Sequence, residues 1–347
     1  MIIYSDFNGA NIKITATDGN TAYLDSDMRD SSGDWFYWAF AAEGAIGETV
    51  CFKFPKNRIG YFGPAVSYDL EKWEWLGENE DEDEFSYTFK EEGRVYFAHH
   101  ILYPEHRIYD LAAACGMSKE TLCISKRSRA VPLLKYGCGE KKIMLTARHH
   151  ACESTGSYVL EGVVSALTAD PIPGTTLLVV PFVDYDGYVD GDQGKNRIPY
   201  DHNRDYEPTK DAIHPECAAI RSLAKDEGVK YAFDFHSPWH KGDGNDYSFI
   251  VRKTNAESLK HFGRLLSDSL TESAFKYTHE RDIAPGVDWN NPSAPTYARF
   301  MLEAVNADIA FTLETAYFGT EDNVASAEGF VELGKCFATA LRKYMEE

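Results

Sequence analysis

The chain has 347 residues, of which 44% are hydrophobic and 14% aromatic, so it can build a substantial core and does not have a disordered composition. Its 35 basic and 55 acidic residues give a formal net charge of −20. Because nucleic acids and anionic membranes are bound by basic surfaces, this charge argues against both as partners.

The compartment can be predicted from the start of the sequence and from its cysteines. The first residues show no basic segment followed by a long apolar run, which a secretory signal would need. No stretch of about 18 apolar residues predicts a membrane span. The seven cysteines are odd in number and scattered, unlike a disulfide framework. We therefore expect a cytoplasmic protein with reduced cysteines.

The first hundred residues have the pattern of β-structure. The segment NIKITATDGNTAYL places Ile12 and Ile14 in alternation before an Asp-Gly turn signal, and residues 49–54 (TVCFKF) alternate in the same way. The acidic run GENEDEDEF from Gly77 is interpreted as a solvated loop. We predict a small all-β sandwich over residues 1–103.

The pattern changes at about Pro104. Short apolar segments, each of strand length, occur at residues 141–147, 175–183, 231–236 and 307–314. Helix-like patterns such as SYVLEGVVSAL and PECAAIRSLAKDEG lie between them. This alternation predicts an α/β domain over residues 104–347, with a mixed, mostly parallel sheet flanked by helices.

Histidine and glutamate side chains follow three of these predicted strands. His149, His150 and Glu153 come directly after the first strand, His236 ends a second, and Glu314 ends a third. In open α/β sheets, ligands bind at the carboxyl ends of the strands. The sequence therefore predicts that these side chains converge at one edge of the sheet.

Two histidines and a glutamate are the ligand set of a catalytic zinc site. A His-x-x-Glu pair with one distant histidine leaves a fourth position for water. The metal would lower the pKa of that water and polarise a carbonyl group. A second glutamate is then needed to accept a proton, and Glu314 is available for this role.

Several segments resemble the M14 zinc carboxypeptidases, especially the cytosolic carboxypeptidase-like branch. The matching segments are ARHHACES at 147–154, DFHS at 234–237 and FTLET at 311–315. The resemblance implies one zinc ion per chain, held by His150, Glu153 and His236, with Glu314 as the catalytic glutamate. It leaves His149 outside the ligand set.

A fourth segment, VPFVDYDGYVDGDQGKNRIPYDHNRDY at 180–206, resembles the family's substrate-binding region. The resemblance implies that Arg197 stabilises the oxyanion and that Asn203 and Arg204 bind the terminal carboxylate of the substrate. It makes Asp201 the hydrogen-bond partner of His150. The leading region with CFKF at 51–54 and VYFAHHILYP at 95–104 also resembles the β-sandwich that precedes the catalytic domain in this branch. The expected substrate is therefore the C-terminus of a peptide or protein.

The sequence departs from the family pattern at several positions. Cys152 stands where digestive members carry a substrate-binding arginine. The mobile tyrosine of the family has no clear equivalent, with Tyr277 the nearest candidate. Val287 falls where the family places its selecting residue, and a valine there predicts no charge matching at that position.

Other interpretations compete with a carboxypeptidase. Cys152 beside two histidines could be a hydrolase nucleophile, although no third group orients the pair. Arg197 and Arg204 could be ordinary ion-pair partners in so acidic a chain. An aspartoacylase-like N-acyl amino-acid amidohydrolase shares the ligand set, and a catalytically inactive binding protein could share the fold. The oligomeric state is not predicted by the sequence.

Overall fold

The structure is a computed structural model that describes residues 1–77 and 81–347. Residues 78–80, in the acidic run that was predicted to be a solvated loop, lie outside the described residues, and the end of that run begins a strand at Glu84. In the described part of the N-terminal region, the strands are β1 (Ile2–Tyr4), β2 (Lys13–Asp18), β3 (Thr21–Asp25), β4 (Ala39–Glu43), β5 (Thr49–Lys53), β6 (Ala65–Ser67), β7 (Glu74–Trp75), β8 (Glu84–Thr88) and β9 (Val95–Ala98).

These strands form two sheets that face each other. One sheet has the order β1-β4-β9-β6-β7 and the other the order β2-β3-β5-β8. Side chains from both sheets share one apolar core, built around Phe40, Phe52, Phe85 and Phe97, each less than 5% exposed. The predicted β-sandwich is confirmed.

The strand predicted from the alternation of Ile12 and Ile14 is present as β2, but it contributes little to the core. All of β2 is exposed, and Ile14 is 51% exposed. β2 is the edge strand of its sheet, and a bulge interrupts its pairing with β3 near Ile14. The core is filled instead by Ala22 and Leu24 of β3.

A larger sheet and its helices make up the rest of the described chain. The further strands are β10 (Ser118–Ile124), β11 (Ala130–Gly137), β12 (Lys141–Ala147), β13 (Thr175–Val180), β14 (Tyr231–His236), β15 (Phe249–Val251), β16 (Ile309–Glu314), β17 (Gly319–Thr320) and β18 (Asn323–Val324). The α-helices are α1 (Glu105–Ala114), α2 (Thr155–Ala169), α3 (Tyr185–Asp190), α4 (Pro215–Asp226), α5 (Glu257–Asp268), α6 (Tyr297–Glu303) and α7 (Ala327–Glu346).

The central sheet has the order β10-β11-β13-β12-β14-β16-β15. The four inner strands β13, β12, β14 and β16 are parallel, and the strands at both edges pair antiparallel. This confirms the predicted mixed, mostly parallel sheet. The predicted division at residue 103 stays a prediction, although α1 begins close to it, at Glu105.

Successive residues of the inner strands point into two different cores. On β12, Ile143 and Leu145 pack into the core beneath α2, α5 and α7, whereas Met144 packs into the core beneath α4 and α6. A strand covered by helices on both faces needs an unbroken apolar run, and this explains the sequence pattern. Among the described helices, none has the length and apolar composition needed to cross a membrane.

Candidate active site

The candidate site lies where neighbouring parallel strands end. β14 pairs in parallel with β12 on one side and with β16 on the other, and His236 stands directly opposite Glu314. His150 and Glu153 follow β12, on the turn that leads into α2. The predicted convergence of these four side chains at one edge of the sheet is therefore seen in the structure.

His150, Glu153 and His236 form a cluster of candidate metal ligands. One ligand atom from each lies within 4.8 Å of the other two. The Nδ1 atoms of His150 and His236 are each 2.7 Å from an oxygen of Glu153, Oε1 and Oε2 respectively. The Oε2 atom is buried and has no aligned hydrogen bond. Two imidazole nitrogens and a carboxylate thus face one point, which suits zinc better than the oxygen-seeking magnesium or calcium.

The outward nitrogen of each histidine is held by an aspartate. Asp201 lies 3.2 Å from His150 Nε2, where the sequence prediction put it, and Asp234 lies 2.6 Å from His236 Nε2. Such carboxylates fix the orientation of a ligating ring and make it a stronger ligand. Sequence reasoning missed Asp234. Its position two residues before His236 was a usable signal, since residues two apart on a strand point to the same side.

The electrostatics of the cluster favour positive charge between its side chains. Burial disfavours a charged imidazole, but the carboxylates of Asp234 and Glu153 outweigh it and raise the pKa of His236 well above its usual value. Burial alone would raise the pKa of Glu153, yet His150, Lys195 and His236 hold it well below its usual value. The carboxylates of Glu153, Asp201 and Asp234 supply the negative charge that would stabilise a bound metal cation.

The neighbouring residues His149 and Cys152 are occupied elsewhere. His149 Nδ1 is 2.8 Å from Asp234, and its Nε2 is 2.7 Å from the hydroxyl of Tyr206, so both ring nitrogens are engaged. Burial raises the pKa of the Cys152 thiol to about 12, so it is not a thiolate near neutral pH. These contacts argue against Cys152 as a nucleophile.

Glu314 is a buried carboxylate with little to neutralise it. It is 6% exposed, and its Oε2 atom has no hydrogen-bond partner. Burial raises its pKa, and the nearby Glu153 adds to the effect, while His236 partly offsets it. A carboxylate in this state is a ready proton acceptor.

A pocket of about 180 Å³ opens beside the cluster, lined by His150, His236, Glu314, Asn203, Arg204 and Lys253 among others. The Asn203 amide lies 3.3 Å from His236 Nε2. Arg204 donates to the backbone oxygen of Asn203 at 2.9 Å, and no carboxylate in the described chain forms an ion pair with it. The two predicted binders of a substrate carboxylate thus lie in the pocket.

Lys253 is a second cation of this pocket, and the sequence did not indicate it. Its Nζ donates to Asn290 Oδ1 at 2.9 Å and to the Asn291 backbone oxygen at 3.2 Å, which leaves one N–H for a ligand. Burial, with the charge of Arg204 beside it, lowers the pKa of Lys253 to about 8. Val287, by contrast, is 46% exposed and does not line the pocket.

Arg197, expected to stabilise the oxyanion, is not among the residues that line this pocket. Its guanidinium donates to Asp184 and, at 2.9 Å, to Asp192, and Asp30 lies 3.7 Å away. Three carboxylates already neutralise it, so it is not free to face a developing oxyanion. Of the two interpretations of Arg197, an ion-pair partner fits these contacts better.

Lys195 is the buried cation that does lie beside the cluster. Its Nζ donates to Glu153 Oε1, to the Ser237 backbone oxygen at 2.9 Å and to the Pro238 backbone oxygen at 3.1 Å. The sequence could not show whether Lys195 or Arg197 lies beside the cluster, since both belong to one polar loop.

A close backbone contact brings Lys195 into place. Gly194 has φ +77°, and a Cβ there would lie 2.2 Å from the backbone nitrogen of Ala151. Asp30 of the N-terminal region accepts the backbone N–H groups of Gln193 and Gly194 at 3.0 and 2.9 Å. The loop therefore packs directly against the turn that carries His150.

Tyr277 is also away from the site. It is buried, and its hydroxyl donates to the carboxylate of Asp282 at 2.9 Å. The structure thus gives no support for Tyr277 as the equivalent of the family's mobile tyrosine.

Replacing Asp234 with asparagine should weaken metal binding, because His236 would lose the carboxylate that orients it. We expect zinc affinity to fall about 10- to 100-fold. A competition titration against a chromophoric zinc chelator measures this, with Asp110→Asn, an exposed aspartate, as the control. Equal affinities in a folded Asp234→Asn protein would contradict the assignment.

No protein-family model matches the sequence. The chain is 26% identical over 256 residues to uncharacterized protein ZMO1242 of Zymomonas mobilis, which covers 67% of each chain. It is 29% identical over 208 residues to cytosolic carboxypeptidase 2 of Xenopus tropicalis, covering 52% of this chain and 21% of that protein. It is 23% identical over 236 residues to cytosolic carboxypeptidase 6 of Caenorhabditis elegans, covering 60% of this chain and 49% of that protein. The match thus spans less than half the length of either carboxypeptidase.

Two solved structures superpose over nearly the whole chain. The metallo-carboxypeptidase of Burkholderia cenocepacia has a TM-score of 0.81 at 19% identity, covering 99% of this chain and 98% of that one. The metallo-carboxypeptidase of Pseudomonas aeruginosa in complex with (2-guanidinoethylmercapto)succinic acid has a TM-score of 0.79 at 22% identity, covering 100% and 99%. The chain therefore has the M14-like carboxypeptidase fold and is distantly homologous to cytosolic carboxypeptidases 2 and 6.

Proposed function

We propose that the protein is a cytoplasmic zinc-dependent carboxypeptidase that removes the C-terminal residue of peptides or protein tails. The observation that carries this proposal is the buried carboxylate of Glu314, whose Oε2 has no hydrogen-bond partner among the described residues. It shares a pocket with the histidines of the ligand cluster and with Arg204, which forms no ion pair in that part of the chain. A base, a metal site and a carboxylate anchor are the parts that such an exopeptidase needs.

The residues present fit a zinc ion. His150, Glu153 and His236 supply two nitrogens and one oxygen, and the Oε2 of Glu153, which has no aligned hydrogen bond, is a natural ligand atom. When bound, zinc would polarise the carbonyl group of the substrate and lower the pKa of a water molecule. Asp201 and Asp234 hold the rings so that both Nδ1 atoms face this position.

Glu314 is proposed as the general base. Its burial and its open Oε2 leave it without a competing partner, and its raised pKa makes proton acceptance favourable. It would take a proton from the attacking water and later deliver it to the leaving amine. The same carboxylate can serve both steps because it regains its starting state after each turnover.

Arg204 and Asn203 are proposed to bind the terminal carboxylate of the substrate. A guanidinium meets a carboxylate with two parallel hydrogen bonds, and this geometry favours a free chain end over an internal peptide bond. Asn203 can add a donor, because its amide nitrogen lies at the pocket wall. Exopeptidase specificity follows from this pair.

Lys195 is proposed to stabilise the oxyanion in place of Arg197. It is a buried cation in direct contact with Glu153 and with the backbone that follows His236. All three N–H groups of Lys195 are used by Glu153 Oε1 and by the Ser237 and Pro238 backbone oxygens, so it would act on the developing oxyanion through its positive charge. A positive group preformed in a dry site acts strongly on developing negative charge.

Replacing Glu314 with glutamine should abolish turnover and leave zinc binding intact, because the amide keeps the shape but cannot accept the proton. We expect kcat to fall by at least about 10²-fold. Peptides with varied C-terminal residues, incubated with zinc-loaded protein and read by mass spectrometry, measure this. Intact peptides with the unaltered protein, together with cleavage of N-acyl amino acids, would point instead to an amidohydrolase.

Replacing Lys195 with methionine should lower kcat with little change in KM, because the lost interaction belongs to the transition state. We expect a loss of about 10²- to 10³-fold, and partial recovery with Lys195→Arg. Steady-state kinetics on a single peptide provide the numbers, and zinc content by elemental analysis is the control. A loss of zinc that parallels the loss of activity would assign Lys195 to structure instead.

Lys253 should make the pocket prefer an acidic C-terminal residue, because its free N–H can pair with a side-chain carboxylate. We expect the ratio of kcat/KM for a peptide ending in glutamate to kcat/KM for one ending in glutamine to be about 10-fold lower in Lys253→Met. The preference should also weaken as the pH rises through about 8, where Lys253 loses its proton. Equal selectivity in both proteins would exclude this role.

A further inference from the structure

A further cavity lies outside the candidate site. It has a volume of about 350 Å³ and is lined by residues of the N-terminal region, such as Tyr37, and of the catalytic domain, such as Tyr188 and Arg148. None of the residues that line the candidate active-site pocket lines this cavity. The chemistry proposed for the candidate active site therefore gives this cavity no role.

Arg148 is the unusual group in its wall. The side chain is 4% exposed, yet no carboxylate in the described chain forms an ion pair with it. Its Nε donates to Ser157 Oγ at 2.8 Å and its Nη1 to the Ala151 backbone oxygen at 2.6 Å, which uses two of five N–H donors. Burying a charge without a counter-charge is costly, so the remaining donors call for an anionic partner.

The carboxylates around the cavity differ in how well they are neutralised. Asp192 is buried and paired with Arg29 and Arg197. Asp69 and Glu105 lie farther out, where Asp69 is exposed and Glu105 is half-buried, and neither forms an ion pair within the described residues. The cavity therefore offers a cation at its buried end and negative charge near its mouth.

We infer that this cavity binds a free amino acid as its zwitterion. The α-carboxylate would meet the unused N–H donors of Arg148, for which a guanidinium is well shaped. The α-ammonium would face Asp69 and Glu105, and the side chain would lie against the tyrosine rings. A simple anion fits less well, because the acidic mouth would repel it. The inference does not depend on the proposed peptidase activity.

The test measures binding without turnover. L-Leucine is titrated by calorimetry into the zinc-loaded Arg204→Gln protein, in which the carboxylate anchor of the candidate active site is removed. We expect one binding event per chain, weakened about 10- to 100-fold by adding Arg148→Gln. Leucinamide, which lacks the carboxylate, and N-acetyl-leucine, which lacks the ammonium group, should both bind more weakly than leucine.

A second variant keeps Arg148 and tests the mouth, in case the Arg148→Gln protein does not fold. Asp69→Asn with Glu105→Gln should weaken leucine binding and leave N-acetyl-leucine binding unchanged. Three results would overturn the inference: no heat of binding with leucine, equal affinity for leucine and N-acetyl-leucine, or leucine binding that none of these substitutions alters. Each can occur whether or not the protein cleaves peptides, so the two proposals fail separately.

Discussion

The parallel register of β12, β14 and β16 is the constraint on which the site depends. It sets His236 opposite Glu314. It also aligns the end of β12 with the end of β14, so that the turn with His150 and Glu153 begins beside His236. A slip of one residue would turn His236 and Glu314 to the other face of the sheet, because side chains alternate along a strand. The two apolar cores resist such a slip, since every residue of β14 and β16 is buried.

The N-terminal region takes part in building the site, although it contributes none of its candidate ligands. Asp30 holds the backbone of Gln193 and Gly194, and Ser31 forms a bridge with Arg197. The loop that carries Lys195 is thereby pressed against the turn that carries His150. Arg197 is used in the same contact, where it neutralises the buried aspartates that hold the two parts of the chain together.

Charge balance distinguishes the two kinds of cation in this molecule. Arg197 is surrounded by carboxylates and serves the fold, whereas Arg204, Lys253 and Arg148 border cavities without an ion-pair partner in the described chain. In a chain of net charge −20, a cation left unpaired beside a cavity is a better indicator of a binding site than one in an ion pair. Sequence spacing cannot make this distinction, because it does not say which carboxylates lie nearby.

The sequence by itself determined the β-rich start, the mostly parallel sheet that follows it, and the positions of His150, Glu153, His236 and Glu314 at or just after strand ends, because hydrophobic periodicity and strand-end positions are local properties. The pairing of Asp201 with His150 was expected only from the resemblance to the M14 carboxypeptidases. The sequence did not determine the exposure of β2, the contact of Asp234 with His236, or which carboxylates pair with Lys195 and with Arg197. Those were decided by tertiary structure alone, because an edge position, a shared strand face and the nearest counter-charge depend on which segments pack together.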